Sequence, residues 1–225
     1  GLVNFQERIM PAMLAMKEVG LEPIVLEPKE GLSLINGTQV STAIAIKACL
    51  EAENVLKVAD LSGAISVEAS LSSRSVFRSE IHKLKDHPGQ RIVASNIWNL
   101  LDKSEIVLSH KNCDKMQDPY SFRCIPHVHG ISRENYQCVK KIVENEASSV
   151  SDNPLIMPNG KILNSGHFHA ESIAQAMDNL AIAIAEIGSI AERRIHYFMK
   201  GIGDSVPPFI ASNPGLESGF MTAHV

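Results

Sequence analysis

Three side chains in the middle of the chain have types and spacing that suit the recognition of an amino acid. Gln117, Tyr120 and Arg123 recur at steps of three, so on one helical turn they would share a face. That face would offer an amide, a phenol and a permanently charged guanidinium fork, which matches a carboxylate in bidentate fashion. Asp118 is suited to cap the turn and Pro119 to occupy its first position. Taken alone, the run also fits a capped surface turn whose arginine is solvated.

The elements that would position these side chains are predicted to be long helices. Apolar residues recur with a helical period over residues 38–71, 88–108, 133–150 and 169–198, and Ser132 is suited to cap the third segment. In the last segment the apolar residues alternate between steps of three and four, which is typical of a supercoiled bundle. These seam residues are Ile173, Met177, Leu180, Ile184, Ile187, Ala191, Ile195 and Phe198.

One β-hairpin interrupts this helical pattern. Residues 155–163 contain two short apolar runs around the Asn159-Gly160 dipeptide, which is favoured in tight turns. Near the start of the chain, residues 5–19 are suited to a helix and residues 21–26 to an extended segment. The predicted fold is therefore mainly α: a long-helix bundle with one short hairpin.

Length and composition set the size of the fold and exclude some functions. The 225 residues suffice for a single domain with a sizeable core, divided into a mixed lead-in at residues 1–35 and a helical bundle core at residues 36–225. The net charge of -4, with both signs interspersed, gives no basic patch for nucleic acid or for an anionic membrane. The sequence shows no signal peptide and no uninterrupted apolar span of membrane length.

The cysteines and histidines do not predict a metal centre. The cysteines lack the close pairing of a zinc site or a disulfide framework, which fits a reducing compartment and predicts a cytoplasmic location. They are Cys49, Cys113, Cys124 and Cys138. The pairs His127/His129 and His167/His169 have no partnering carboxylate or cysteine spacing, so we interpret them as pocket or cap residues.

Five segments, taken in their order along the chain, resemble the aromatic amino acid ammonia-lyases and, within them, the histidine-specific branch. They are KEGLSLINGTQ (29–39), QDPYSFRCIP (117–126), SVSDNPLI (149–156), SGHFHAE (165–171) and GLESGFM (215–221). The resemblance implies a helical bundle of the ammonia-lyase type. It also implies the elimination of ammonia from an α-amino acid, in a homotetramer whose active sites combine residues of more than one subunit.

The resemblance further implies a prosthetic group that this sequence does not encode. Members of the family carry an Ala-Ser-Gly tripeptide that cyclises into an electrophilic methylidene-imidazolone (MIO), and no Ala-Ser-Gly occurs here. The family's amino-terminal loop with a catalytic tyrosine and its carboxy-terminal region have no counterpart either. We therefore expect the 225 residues to be the middle of a longer enzyme and to be inactive alone. No metal or dissociable cofactor is implied.

The family's site residues carry over to matching positions. The resemblance implies that Arg123 binds the substrate carboxylate and that Tyr120 lies beside the prosthetic group and handles a proton. Asn36 would hydrogen-bond the prosthetic group or the substrate carboxylate. Gln117 would contact the side-chain end of the substrate, and Phe168 would wall the pocket and exclude water. Without the resemblance, Asn36 would be a helix cap, Phe168 a core aromatic and Gln117 a surface residue.

Two positions depart from the family's pattern. The motif more often reads Gly-Asn-Phe-His-Gly-Glu, and here His167 and Ala170 replace its Asn and second Gly. His167 is larger than the asparagine that it replaces, which affects pocket shape and substrate choice. The Asp118-Pro119 pair resembles the histidine-specific branch, so the implied reaction converts L-histidine to trans-urocanate.

Three other interpretations share features with this sequence. The first is a phenylalanine or tyrosine ammonia-lyase, and the second is a non-catalytic helical assembly module. The third is the fumarase and aspartase superfamily, which is also helical and tetrameric. Its Gly-Ser-Ser loop followed by Met-Pro-x-Lys is absent from this sequence, which argues against it.

Overall fold

The computed structural model describes residues 1–113 and 115–224 of the chain. The chain folds into two compact units, one formed by Gly1–Gly37 with Ser151–Phe168 and the other by Thr38–Val150 with His169–Val225. The single-domain organisation expected from the sequence stays a prediction, because these units are defined by contacts within this chain alone.

Helices account for most of the regular structure. They are α1 (Ala12–Glu18), α2 (Glu30–Ile35), α3 (Gln39–Ala69), α4 (Ser79–His82), α5 (Pro88–Leu100), α6 (Glu105–Ser109), α7 (Tyr120–Arg123), α8 (Ile125–Ala147), α9 (Glu171–Met199) and α10 (Met221–His224), with 3-10 turns at Arg74–Phe77 and Pro208–Ile210. The mainly α fold predicted from the sequence is confirmed, and α3 and α9 begin and end close to their predicted bounds.

The first unit contains two antiparallel hairpins. Strands β3 (Leu155–Ile156) and β4 (Ile162–Leu163) form the predicted one. A second, which was not predicted, pairs β1 (Leu2–Phe5) with β2 (Arg8–Pro11). It corrects the expectation of a helix over residues 5–19, because Gln6 and Glu7 both adopt positive φ and turn the chain back before α1 begins.

The second unit has a core built by its three longest helices. Buried residues of α3 recur at steps of four and three, and most of them are small, so α8 and α9 approach closely. This cluster contains Ala45, Cys49, Ala52, Leu56, Ala59, Tyr136, Val139, Val143, Ile173, Ala176, Leu180 and Ile187. The predicted α9 seam is thus confirmed from Ile173 to Ile187, whereas Ile195 is 36% exposed.

Helices α5 and α8 cross at two glycines. A Cβ atom on Gly89 would lie 2.2 Å from the carbonyl oxygen of Gly130, and one on Gly130 would lie 2.5 Å from the backbone nitrogen of Gln90. Only glycine fits at this crossing, which lets α5 pack directly on α8.

Two predicted helix bounds were wrong. The helix expected over residues 88–108 is two helices, because Lys103 adopts a positive φ and the Ser104 hydroxyl caps α6 by accepting from the Val107 backbone nitrogen at 3.1 Å. Ser132 does not cap a helix, since α8 begins at Ile125 and Ser132 is buried inside it. Pro126 in the first turn permits the earlier start.

By length and composition alone, α9 would also pass as a membrane span, contrary to the expectation from the sequence. This is weak evidence for a membrane, because core helices pass the same test. Ile173, Leu180 and Ile187 of α9 are buried against α3 and α8, which accounts for its apolar composition.

Candidate functional site

The short helix α7 is fixed by the residue in its middle. Phe122 is 1% exposed and packs edge-on against the rings of Tyr197 and Phe198, with centroid distances of 5.2 and 6.2 Å. Burying an aromatic side chain in this way stabilises the turn far more than its own four residues could. The anchor therefore determines where Tyr120 and Arg123, on either side of it, are presented.

Tyr120 and Arg123 lie together at this turn. The guanidinium carbon of Arg123 is 4.7 Å from the centre of the Tyr120 ring, which is a cation–π contact. Tyr120 is 73% exposed. The Nε atom of Arg123 is buried and has no hydrogen-bond partner among the described residues. A permanently charged group with an unused buried hydrogen-bond donor is suited to bind an anionic ligand.

Gln117 and Arg123 line one cleft of about 660 Å³ in the second unit. Tyr120 is not among the residues that line it. Gln117 precedes α7, whose amino-terminal cap is Pro119, so the prediction that Gln117 shares a helical face with the other two was wrong. Arg123 therefore lines a cleft together with Gln117 and contacts the ring of Tyr120.

Asp118 holds this loop by a tertiary contact instead of capping the helix. Among the residues that the structure describes, no side chain caps α7. The carboxylate of Asp118 accepts from the Ser73 backbone nitrogen at 2.7 Å and pairs with Lys115 at 2.8 Å. Burial lowers the pKa of Lys115, but the hydrogen bonds and charges of Asp118 and Tyr197 together outweigh that effect and leave the pKa raised. The loop that carries Gln117 is therefore tied to the residues after α3.

The cations that line this cleft differ in what they already bind. Arg74 donates from Nε to the Trp98 carbonyl oxygen at 3.0 Å and pairs with Asp102 at 3.2 Å. Lys115 pairs with Asp118. Arg123 forms no ion pair with any residue that the structure describes. Arg78 and Lys111 also line the cleft and form no ion pair with a described residue, so Arg123 is distinguished by its buried Nε donor, which has no partner among the described residues.

Asn36 and Phe168 belong to the first unit. Asn36 follows the carboxy-terminal end of α2, and its side-chain nitrogen donates to Asp152 Oδ1 at 3.2 Å and to the Asn153 carbonyl oxygen at 3.4 Å. Phe168 is 43% exposed, so it is not a core aromatic within this unit. Lys29 and Asp152, which form an ion pair at 2.6 Å, were given no role in the sequence analysis. Both lie in segments that resemble the family, residues 29–39 and 149–156, and this resemblance was the signal in the sequence that could have identified them.

The histidines of the fourth family-like segment form local contacts. His169 Nδ1 accepts from the Glu171 backbone nitrogen at 3.2 Å, at the start of α9. His167 Nδ1 lies 2.8 Å from the Ser165 hydroxyl. Across residues 1–113 and 115–224, no three His, Cys, Asp or Glu side chains are grouped so that they could hold a metal ion.

Comparison with known proteins gives one consistent result. Residues 1–225 match the protein family described as aromatic amino acid lyase. The histidine ammonia-lyase of Vibrio cholerae is 48% identical over 227 residues, which cover 100% of this chain and 44% of that protein. A crystal structure of histidine ammonia-lyase from Trypanosoma cruzi is similar with a TM-score of 0.87 at 39% identity, covering 100% of this chain and 42% of that one. A phenylalanine aminomutase from Pantoea agglomerans is similar with a TM-score of 0.90 at 30% identity, and this chain covers 47% of its length.

Proposed function

The chain belongs to the aromatic amino acid lyase family, and on that premise we propose that it supplies active-site residues to a lyase that eliminates ammonia from L-histidine to give trans-urocanate. The chain spans less than half the length of the relatives that it matches. The observation that carries the proposal is Arg123, whose buried Nε has no partner in the described part of the chain and which lines one cleft with Gln117. The identity to histidine ammonia-lyases favours L-histidine over phenylalanine or tyrosine.

In this proposal each side chain has a distinct task. Arg123 binds the substrate carboxylate with charge-assisted hydrogen bonds and so fixes the reacting carbon. Tyr120, beside Arg123, holds or moves the proton at its phenolic oxygen. Gln117 contacts the side-chain end of the substrate. Asn36 supplies an oriented amide, and Phe168 excludes water.

The family implies an MIO prosthetic group, which when present provides an electrophile that converts the amine into a better leaving group. The residues of this chain fit such a group in their chemistry. The amide oxygen of Asn36 accepts no hydrogen bond from the described residues, and the Phe168 ring is partly exposed, so both have surface available for it. Asn36 and Phe168 are the residues that would hold the group. The Ala-Ser-Gly precursor is not part of this sequence.

We also propose that the complete protein is a cytoplasmic homotetramer. Apolar residues exposed on α3 support an assembly, since Val40, Ile44 and Leu50 are 72%, 65% and 65% exposed. A non-catalytic assembly module would have the same apolar faces, so turnover separates the two functions. Light scattering of the complete protein measures the oligomeric state, and fractionation of its cells measures the location.

The kinetic test uses two variants of the complete protein that contains these residues. Because hydrogen bonds to charged groups contribute roughly 1.5–3 kcal/mol, Arg123→Ala is expected to raise KM for L-histidine by about 10- to 100-fold. Tyr120→Phe is expected to lower kcat by about 100-fold or more through loss of proton transfer. Urocanate formation, followed by its ultraviolet absorbance, measures both.

The control for this test is Arg193→Ala, which removes an exposed arginine that pairs with its neighbour Glu192. Its kinetics are expected to match the unaltered protein. Unchanged kinetics in both the Arg123 and Tyr120 variants would refute the site assignment. If the complete protein converts L-phenylalanine or L-tyrosine but does not convert L-histidine, the proposed substrate is wrong. If the purified 225-residue chain forms urocanate, the expectation that it is inactive alone is refuted.

A further inference from the structure

Asp152 is the centre of a hydrogen-bond cluster in the first unit. Its Oδ2 atom accepts from Lys29 Nζ at 2.6 Å and from the Ser33 hydroxyl at 2.9 Å. Its Oδ1 atom accepts from Asn36 Nδ2 at 3.2 Å and from the Asn153 backbone nitrogen at 2.7 Å. Each carboxylate oxygen thus receives two donors, which nearly fills the accepting capacity of the group.

The cluster determines which way the Asn36 amide faces. Both groups near its nitrogen, Asp152 Oδ1 and the Asn153 carbonyl oxygen, are acceptors only. Turning the amide over would set its own oxygen against two acceptors, one of them charged, which is repulsive. The amide nitrogen therefore faces Asp152, and the amide oxygen faces away from it.

The backbone at Asn36 needs this support. Helix α2 has six residues, and Asn36 lies beyond its last residue, where its backbone nitrogen donates to the Leu32 carbonyl oxygen at 2.8 Å. Gly37 follows with a φ of 100°, so the chain turns sharply directly after Asn36. An isolated helix of this length is not stable in water. A side chain at its end keeps one orientation only when other groups hold it.

Charge keeps the cluster in one state. The hydrogen bond from Lys29 is the main cause that holds the pKa of Asp152 well below its usual range, and bonds from Asn153, Ser33 and Asn36 act in the same direction. Lys29 also donates to the Asn153 carbonyl oxygen at 3.2 Å. The carboxylate therefore stays ionised near neutral pH and continues to accept from Asn36.

We propose that Asp152, supported by Lys29, is a positioning residue that fixes the Asn36 carboxamide in the orientation used by the lyase reaction. This inference rests on the proposed function, because Asn36 has a catalytic task only in a lyase. Asp152 acts through Asn36, and its carboxylate touches neither the substrate nor the reacting atoms.

A double-mutant cycle in the complete protein tests the proposal. Asp152→Asn keeps the shape of the side chain but replaces one acceptor oxygen with a donor. We expect it to lower kcat/KM for L-histidine by about 10- to 100-fold, since displacing a reacting group by about 1 Å has effects of that size. In a protein that already carries Asn36→Ala, the same substitution is expected to change kcat/KM by less than about threefold, because its target is gone.

The matched control is Asp86→Asn, which removes a carboxylate that is 94% exposed and pairs with Arg91. It is expected to leave kcat/KM unchanged. Lys29→Met is the second variant if Asp152→Asn does not fold, and it is expected to shift kcat/KM in the same direction and with the same dependence on Asn36. Equal losses in both backgrounds would overturn the inference, as would an Asp152→Asn protein with unaltered kinetics.

A crystal structure of the Asp152→Asn protein gives a readout that does not need turnover. We expect the Asn36 amide to rotate away from residue 152 or to lose its contact with it. If Asn36 keeps its orientation and its distances, the inference fails whatever the kinetics show. If the unaltered protein turns over no aromatic amino acid, the proposed function fails, and this structural comparison still decides whether Asp152 positions Asn36.

Discussion

Two carboxylates, one in each unit, use similar partners in different surroundings. Asp60 in α3 is 5% exposed and accepts from His129 at 3.0 Å, from Arg133 at 2.8 Å and from Asn96 at 2.8 Å. These partners lie on α8 and α5, so Asp60 connects three helices. Asp152 is 20% exposed, and its partners lie on or beside the short helix α2 and at the following residue, Asn153.

The difference in exposure gives the two clusters different roles. Removing one partner from a buried charge leaves the others desolvated and unpaired, which costs far more than the loss of a surface ion pair. Around Asp152, water can replace a lost partner, so the main consequence is a loss of orientation at Asn36. We therefore expect substitutions at Asp60 to affect folding and substitutions at Asp152 to affect catalysis.

The largest expected effect comes from Asp60→Ala. The substitution leaves His129, Arg133 and Asn96 without their shared acceptor inside the helix bundle. Breaking a buried pair costs roughly 3–5 kcal/mol, so we expect the free energy of unfolding to fall by about that amount. Urea unfolding followed by circular dichroism measures it.

The matched control for this substitution is Asp86→Ala, because the Asp86 side chain is 94% exposed. Its effect on the free energy of unfolding is expected to stay within about 0.5 kcal/mol. An Asp60→Ala protein as stable as this control would show that burial does not separate the two carboxylates.

The sequence predicted the helices and local motifs more accurately than it predicted the hydrogen-bond clusters around Asp60 and Asp152. The periods of α3 and α9 and the turn at Asn159-Gly160 are local signals, and local propensity agrees there with the tertiary structure. Asp60 meets His129 across 69 positions, and Lys29 meets Asp152 across 123. No period or spacing rule reports such separations, because they depend on how the helices pack.

The candidate site shows the same division. The run of Gln117, Tyr120 and Arg123 was identified from residue types, and the structure places Tyr120 and Arg123 in one short helix. The prediction that Gln117 shares a helical face with Tyr120 and Arg123 was wrong, because the helix starts after Pro119. Asp118 has the residue type of a helix cap, but the Ser73 backbone nitrogen and Lys115 compete for its carboxylate. Of these contacts, the one from Ser73 spans 45 positions, and no local rule predicts it.

A smaller effect is expected in the pH dependence of stability. Burial is the main cause that lowers the pKa of His129, although the hydrogen bond and charge of Asp60 act in the opposite direction; nearby Arg194 and Arg133 also lower it. The unfolded imidazole, with its ordinary pKa of about 6.5, then binds protons more readily than the folded one. The stability linked to His129 is therefore present above about pH 6.5 and is lost as pH falls towards the lower pKa of the folded state.

Urea unfolding between pH 7 and pH 5 tests this dependence on His129→Gln and on the unaltered protein. One proton taken up on unfolding gives a slope of at most about 1.4 kcal/mol per pH unit. We expect the unaltered protein to lose stability towards pH 5 and the variant to lose less. Parallel pH profiles would mean that His129 is not the group that takes up the proton, and would weaken the contrast with the exposed cluster.

The smallest expected effect is that of Asp152→Asn on folding. Because Lys29 and Asp152 are 19% and 20% exposed, water compensates much of the lost ion pair, and the free energy of unfolding at pH 7 should fall far less than in Asp60→Ala. The lowered pKa of Asp152 means that its contribution is present above its ordinary pKa and disappears as pH falls through the folded value. The stabilities of the unaltered protein and of Asp152→Asn should therefore converge in acid. A loss at pH 7 equal to that of Asp60→Ala would assign Asp152 a structural role and remove the distinction between the two carboxylates.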